Sequence, residues 1–217
     1  MSIEKERREP DDGRSTRAAQ LRTERRRELL DVALAVFAQR GYHQTRISDI
    51  IEAAQVARGT FYLYFESKHA IFAALLDDVL ARIRSAVVGV ELGAGAPSLR
   101  AQIHGTLVRL LSLVREEPAL SRLVLREAVG LDPAIDEKLA GFYDELHRWL
   151  TDALLNGQSL GLLRRFDPTL VAWTILGAVE RSMRLLLERP RSFSVDAMAD
   201  ALLDAHLFGL LSGAATD

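Results

Sequence analysis

Ser159 is the residue whose setting most resembles that of a catalytic nucleophile. It lies in Gly157-Gln158-Ser159-Leu160-Gly161, which has the G-x-S-x-G spacing of serine hydrolases. That motif works at a sharp turn between a strand and a helix, because the turn exposes the hydroxyl. Here it follows a segment with helical periodicity, and no period-two strand pattern occurs. We therefore expect a connecting loop, and a hydrolase that uses Ser159 stays a remote alternative.

The residues that usually bind metals show no suitable spacing. The chain has no cysteine, which excludes disulfides and zinc–thiolate sites. No two histidines stand four residues apart, and no HExxH motif is present; the five are His43, His69, His104, His147 and His206. We therefore predict no catalytic residue, no metal and no cofactor.

A different chemistry, the reading of DNA, is indicated by residues 45–68. Ile47, Ile50 and Ile51 share one face of a first predicted helix over 46–54. After a turn at 55–58, a second helix over 59–65 directs Phe61 and Phe65 inward. A helix this short is not stable alone, so its neighbours must hold it while its other face is offered to a partner. This layout is a helix-turn-helix, whose second helix enters a DNA major groove.

The segments GYHQT, SDIIEAA and VARGTFYLYFESK, within about residues 25–76, resemble the TetR family of transcriptional regulators. The resemblance implies an all-α fold: an N-terminal three-helix helix-turn-helix DNA-binding domain and a C-terminal helical bundle that binds a ligand and dimerises. It implies a DNA-binding regulator and not an enzyme. We expect a cytoplasmic homodimeric repressor on a palindromic double-stranded operator, released when a small-molecule effector changes the spacing of the two DNA-binding heads.

The second helix supplies most of the predicted DNA contacts. Arg58 and Thr60 lie at its N-terminal end, and Arg58 can bond the O6 and N7 atoms of a guanine. Gly59, without a side chain, allows close approach to the duplex. The resemblance implies that Tyr62, Leu63 and Tyr64 line the DNA face and that Lys68 binds phosphate. The complete predicted set is Thr45, Arg46, Ser48, Arg58, Gly59, Thr60, Tyr62, Leu63, Tyr64 and Lys68.

Three positions depart from the family pattern. Arg46 stands where a hydroxyl residue is usual, and a cation there still suits a phosphate, while Thr45 is expected to cap the first helix. Gln55 replaces a glycine that permits a left-handed turn, at a cost of about 1–2 kcal/mol. Ala57 replaces a capping serine, a loss of about 1 kcal/mol.

Composition places these helices in two domains. The net charge of the 217 residues is −2, yet residues 15–68 carry nine Lys and Arg against six Asp and Glu, which suits a DNA-binding head. No apolar run is long enough to cross a membrane, and the N-terminus is too charged for a signal peptide. We predict a disordered arm over 1–21, a DNA-binding domain over 22–68 and an effector-binding and dimerisation domain over 69–217.

Helical periodicity predicts the remaining elements. The first helix of the head spans about 23–40, and a helix over about 68–90 joins head and body. Five more helices follow, because prolines and glycines separate the apolar stripes; they span about 98–116, 118–130, 133–156, 168–188 and 194–211.

The last two helices are apolar on more than one side, which indicates burial on two sides. By resemblance they form the dimer interface, for which we predict Trp173, Leu176, Gly177, Glu180, Leu203, Leu207 and Leu210. The predicted ligand-binding residues are mostly aromatic: Phe72, Arg126, Phe142, Tyr143, His147, Trp149, Trp173 and Met183. A body without a cavity would favour the alternative, a DNA-binding regulator controlled by a protein or acting as an activator.

Overall fold

The computed structural model describes residues 12–210, except the side chains of residues 12–15, 126–127 and 207–210. Within this range all regular elements are helical and no β-strand occurs, so the predicted all-α fold is confirmed. The helices are α1 (Asp12–Arg40), α2 (Ile47–Ala53), α3 (Arg58–Tyr62), α4 (Lys68–Ala86), α5 (Leu99–Glu116), α6 (Pro118–Arg122, followed by a π-helical segment Leu123–Glu127), α7 (Pro133–Ser159), α8 (Pro168–Glu188) and α9 (Val195–Leu210).

The chain divides into two compact units, Met1–Ala74 and Leu75–Asp217. The sequence predicts a boundary between residues 68 and 69, at the start of α4. In the structure the division falls further along, inside that helix. The reason lies in the early turns of α4, where Ile71 and Phe72 are fully buried. Phe72 packs edge-on against Phe37 and Tyr42 of the N-terminal unit, with ring centroids 5.7 and 4.8 Å apart.

The core of the N-terminal unit holds α2 and α3 in place. Leu29 and Phe37 of α1 are buried together with Ile50 of α2 and Phe61 of α3. Phe65, just beyond α3, packs 6.1 Å from Phe61. Since α3 has only five residues, this packing and not its own hydrogen bonding keeps it helical.

The predicted disordered arm over 1–21 is wrong for residues 12–21, which belong to α1. Their side chains from residue 16 onward are exposed, so no apolar stripe marks them as helical. Arg, Ala, Gln and Leu are nevertheless good helix formers, and they extend a helix whose later turns are fixed by burial. Residues 1–11 of the predicted arm lie outside the described range.

Capping residues define the helix starts of the C-terminal unit. The Ser98 hydroxyl accepts from the Ala101 amide, and Asp132 accepts from the Ile135 amide. Asp167 accepts from the first amides of α8. A proline at the first turn of α6, α7 and α8 lacks the amide proton that would be unsatisfied there. The predicted starts of these helices therefore agree with the structure to within a residue.

The core of the C-terminal unit lies between α5, α8 and α9. Leu111 and Val114 of α5 pack with Leu186 of α8 and with Ala199 and Leu203 of α9. All five are less than one-tenth exposed. This core fixes the position of α8, whose other sides remain available for the features described below.

Several predicted helix ends differ from the structure. α3 ends at Tyr62 and not at residue 65. α4 ends at Ala86 and not near residue 90. α7 continues through the Asn156-Gly157 pair to Ser159, and its stop is Gly161, which has a φ of 72°. Gly157 instead permits close packing, because a Cβ there would lie 2.7 Å from Leu163 Cδ1.

Candidate functional site

The exposed face of α3 and the residue that follows it form the first candidate site. Phe61 is fully buried, whereas Tyr62 is 42% and Leu63 71% exposed. Arg58 and Gly59 are also exposed, and Thr60 and Tyr64 are partly buried. The helix thus buries one aromatic side chain and presents its other side chains outward, as a recognition helix must.

Gly59 lies in open space on this surface. A Cβ built at this position meets no atom within 4 Å. Its φ is not positive, so the turn does not require glycine. Neither packing nor backbone conformation within the chain requires a glycine here, and the open space around it is compatible with close approach by an outside partner.

Arg58 is the first residue of α3, and its guanidinium lies 5.8 Å from the centre of the Tyr62 ring. This cation–π contact orients an otherwise flexible side chain along the exposed face. A planar guanidinium held at the helix N-terminus can form two parallel hydrogen bonds to a guanine edge. The geometry is therefore compatible with the predicted role of Arg58.

Thr45 does not have its predicted role. It is 1% exposed, and its hydroxyl donates to the Gly41 carbonyl at 2.8 Å. Because it is buried, its side chain can neither cap α2 nor touch DNA. The residue before α2 is Arg46, whose amide donates to the Asp49 carboxylate at 2.8 Å. This hydrogen bond, aided by Arg40, lowers the pKa of Asp49.

The Arg46 and Ser48 side chains, both predicted to contact DNA, are exposed at the start of α2. Asp49 leaves the positive charge of Arg46 available, because the ion pair of that carboxylate is made with Arg40 at 3.0 Å.

Lys68, the predicted phosphate ligand, is used within the chain. Its ammonium donates to the carbonyls of Tyr42 and Thr45 at 2.8 and 2.9 Å and lies 4.2 Å from the centre of the Tyr42 ring. Partial burial lowers the pKa of Lys68. Lys68 thus ties the α1–α2 loop to the start of α4, a function that the sequence motif did not reveal.

The turn between α2 and α3 has the predicted left-handed residue. Gln55 has a φ of 53°, and it is the non-glycine residue with positive φ in the described range. Ala57, which precedes α3, makes no side-chain capping bond, as its sequence position had indicated. The turn is therefore strained at one position and uncapped at another.

Replacing Gln55 by glycine is expected to stabilise the N-terminal unit by about 0.5–1 kcal/mol. Relief of the left-handed strain, about 1–2 kcal/mol, exceeds the extra entropy that glycine loses on folding. Thermal unfolding followed by circular dichroism measures the change. Glu52→Gly, in the exposed right-handed turn of α2, is the matched control and should destabilise the unit; a lower melting temperature for Gln55→Gly would contradict the prediction.

The second candidate site is a cavity of about 840 Å³ inside the C-terminal unit. Its wall is formed by α4, α5, the π-helical segment after α6, α7, α8 and α9, together with the loop after α4. Most lining side chains are apolar, among them Ile103, Leu110, Leu146 and Val179. Its size falls in the range of about 300–1,000 Å³ that is typical of small-molecule sites.

Four of the eight predicted ligand-binding residues line this cavity: Phe142, Tyr143, Trp149 and Met183. Phe72 does not, because it belongs to the core of the N-terminal unit. The side chain of Arg126 lies outside the described residues. His147 and Trp173 stack on each other away from the cavity wall, with ring centroids 4.3 Å apart.

The sequence missed the lining that comes from loops. Val88, Val90 and Leu92 follow α4, and Leu160 and Leu163 follow α7. Val88, Leu92 and Leu160 are each more than half exposed. In the sequence, the only sign that these loops could line a cavity was a set of apolar residues without helical periodicity, next to glycines.

A polar cluster lies in the cavity wall. Burial, with the charge of Glu180 beside it, raises the pKa of Tyr143, so its hydroxyl stays protonated next to that carboxylate. Arg184, one turn along α8, donates to Glu180 Oε1 at 2.8 and 3.0 Å. Arg184 is not a lining residue, so the carboxylate and not the guanidinium faces the cavity.

The predicted dimer residues separate into three groups. Trp173 and Gly177 are exposed on the outer face of α8, next to Leu170, which is 64% exposed. Leu176 and Glu180 line the cavity. Leu203 is 2% exposed within the core of its own unit, so it cannot reach a partner. The side chains of Leu207 and Leu210 lie outside the described residues.

Ser159 is not placed as a nucleophile. It ends α7, its hydroxyl donates to the Asn156 carbonyl at 2.8 Å, and no strand precedes it. The G-x-S-x-G segment is a helix end in which the Leu162 amide donates to the Gly157 carbonyl at 2.9 Å.

Residues 12–210 contain neither a metal-binding cluster nor a helix that could span a membrane. No three His, Asp or Glu side chains gather there in a way that would hold a metal ion. Among the described helices, none has the length and apolarity needed to span a membrane.

Comparison with known proteins gives matches over both units. The model of the family described as bacterial regulatory proteins, tetR family, matches residues 29–75. A fatty acid metabolism regulator protein from Bacillus subtilis (strain 168) is 25% identical over 185 residues, which cover 84% of this chain and 94% of the relative.

Two solved structures extend the comparison to the fold. A TetR-like transcriptional regulator from Rhodococcus sp. RHA1 is 26% identical, with a TM-score of 0.67 over 85% of this chain and 94% of that one. The transcriptional regulator FadR from Bacillus subtilis, solved in complex with stearoyl-CoA, has a TM-score of 0.67 at 21% identity and covers 84% of this chain and 97% of its own.

Proposed function

Given that the chain belongs to the TetR family of bacterial regulatory proteins, we propose that it is a cytoplasmic, dimeric repressor whose effector is a molecule with a long apolar chain, of the acyl-thioester class. The chain is a DNA-binding transcriptional regulator and not an enzyme. The observation that carries the effector class is the cavity of about 840 Å³ with its largely apolar wall.

DNA binding uses the exposed face of α3. Arg58 and Thr60 read base edges, Gly59 lies against the groove, and Tyr62, Leu63 and Tyr64 complete the contact. Arg46 and Ser48 contact phosphates from the start of α2. Thr45 is omitted, because its side chain is buried, and Lys68 acts mainly by holding the α1–α2 loop.

Two copies of the chain read a palindrome, because a two-fold dimer presents two recognition helices to successive major grooves. The outer face of α8, with Leu170, Trp173 and Gly177, is the proposed centre of the dimer interface. A tryptophan that is 45% exposed and a leucine that is 64% exposed next to it are costly to leave in water.

The effector class follows from the lining of the cavity and agrees with two relatives. An apolar wall favours an apolar chain. One relative is named as a regulator of fatty acid metabolism, and one similar structure holds stearoyl-CoA. α4 begins in the N-terminal unit, and its later residues Leu80 and Ile83 line the cavity. A ligand that moves those residues can therefore change the head through one continuous helix.

Selection of bound duplexes from a random library, at a stated salt concentration, tests the proposal. We expect a palindrome with half-sites about one helical turn apart. Fluorescence anisotropy with that operator should then show that dodecanoyl-CoA weakens binding while free coenzyme A does not. An unchanged affinity at saturating dodecanoyl-CoA would contradict the effector class, and the absence of any enriched sequence would contradict specific DNA binding.

A further inference from the structure

The charged side chains among the described residues of the cavity wall are all acidic. Asp152 and Glu180 line the cavity, and no lysine or arginine is found among its described lining residues. Asp152 is exposed on α7, whereas Glu180 is partly buried in the wall with 30% of its side chain exposed. An anionic group that entered this cavity would meet like charge in a poorly hydrated setting, where repulsion is strong.

The hydrogen bonds around Glu180 fix what the wall can offer a ligand. The Tyr143 hydroxyl is held protonated beside Glu180, and a carboxylate has only acceptor positions to offer a ligand. His206 points its Nδ1 at the Leu202 carbonyl, 2.9 Å away. Because a carbonyl can only accept, Nδ1 carries the proton, and in the neutral ring Nε2 is then also an acceptor.

We propose that Glu180, held by Arg184, makes the cavity select chains that end in a neutral hydrogen-bond donor and reject the free carboxylic acid. The inference rests on the proposed function, since it assumes that the effector enters this cavity. The first amide N–H of an acyl-pantetheine thioester, two carbons beyond the sulfur that carries the acyl chain, has the required chemistry. A carboxylate has no donor for Glu180 and repels it.

Arg184 does not cancel this selection. It approaches Glu180 from the same helix, one turn away, and it occupies Oε1 through both Nε and Nη2. The other carboxylate oxygen keeps its acceptor positions, and the guanidinium stays outside the cavity lining. Arg184 thus holds Glu180 in place without offering its donors to a ligand.

A series of ligands with one chain length tests the proposal on the full-length protein. Dodecanamide, dodecanoate and dodecylamine are titrated at pH 8, with affinity taken from intrinsic tryptophan fluorescence and melting temperature. We expect dodecanamide to bind at least about tenfold more tightly than dodecanoate. Equal binding of dodecanamide and dodecanoate overturns the role of Glu180 and leaves the effector class intact. If none of these ligands and no dodecanoyl-CoA binds, the proposed effector class fails as well.

Dodecylamine distinguishes selection for a neutral donor from selection for a cation. Weaker binding of the amine than of the amide is expected, because an ammonium loses more hydration than an amide on entry. Tighter binding of the amine overturns the assignment of a neutral end group.

Glu180→Gln is the decisive variant, and Asp152→Asn is its control among the lining carboxylates. The amide-to-carboxylate ratio should fall about tenfold in Glu180→Gln and stay the same in Asp152→Asn. Arg184→Gln, which removes the neutralising cation, should instead raise the ratio. A ratio that is unchanged in both Glu180→Gln and Arg184→Gln overturns the proposal, whatever the melting temperatures of the variants.

Discussion

Replacing Gly59 by leucine is expected to abolish operator binding while leaving the fold of the N-terminal unit intact. A Cβ at this position meets no atom of the chain within 4 Å, and the backbone there is helical. Leucine is a better helix former than glycine by up to about 1 kcal/mol, so the melting temperature should hold or rise. A leucine side chain pointing at the groove would keep α3 from docking. Loss of two base contacts alone would weaken binding at least about thirtyfold.

The measurement is fluorescence anisotropy with the selected operator, alongside thermal unfolding of the same sample. Ala38→Leu, on the exposed surface of α1, adds the same side chain at a position outside the predicted DNA face and should leave the affinity unchanged. Operator binding by Gly59→Leu within threefold of the parent would show that α3 does not enter the groove at Gly59.

The helix-turn-helix was predictable because its evidence is local. Ile50 belongs to the apolar stripe of α2, and Phe61 and Phe65 are four residues apart. All three are buried. Gln55 was expected to need a left-handed conformation from its place in the turn, and its φ of 53° confirms this. The capping residues Ser98, Asp132 and Asp167 are also recognisable from local sequence. Most helix starts were therefore predicted correctly.

Thr45 and Lys68 show where local evidence ends. The hydroxyl of Thr45 turns inward because the Gly41 carbonyl lies 2.8 Å away, a contact set by the path of the α1–α2 loop. The ammonium of Lys68 reaches carbonyls 23 and 26 residues earlier in the chain. Such contacts depend on tertiary structure, so a motif that assigns both residues to DNA cannot anticipate them.

The sequence showed that α8 is apolar on more than one side, but not what each side packs against. Apolar residues on more than one side implied two buried faces. The structure gives three surfaces: Leu186 and Leu187 belong to the core, Leu176 and Val179 line the cavity, and Trp173 lies outside. Core and cavity walls need the same side chains, and only the arrangement of the neighbouring helices separates them. Among the predicted ligand residues on α8, this is why Met183 lines the cavity and Trp173 does not.

Filling the cavity is expected to give a repressor that binds its operator but no longer responds to effector. Leu146 of α7 is a partly buried lining residue, and tryptophan there would project into space that the effector needs. Overpacking costs about 1–3 kcal/mol in a filled core, but less where a cavity receives the larger side chain. Operator affinity should therefore stay within a few-fold of the parent.

The response to effector should nevertheless be lost. An effector shifts the DNA-binding equilibrium only by its difference in affinity between the two states, and a ligand that cannot enter has none. The ratio of operator dissociation constants with and without saturating dodecanoyl-CoA should fall to about one in Leu146→Trp.

Leu155→Trp is the matched control, because Leu155 lies on the same helix, is 47% exposed and is absent from the cavity wall. It should respond as the parent does, with the dimer checked by size-exclusion chromatography. A full response in Leu146→Trp would place the effector site outside this cavity, and weakened operator binding without effector would mean instead that the filled cavity mimics the bound state.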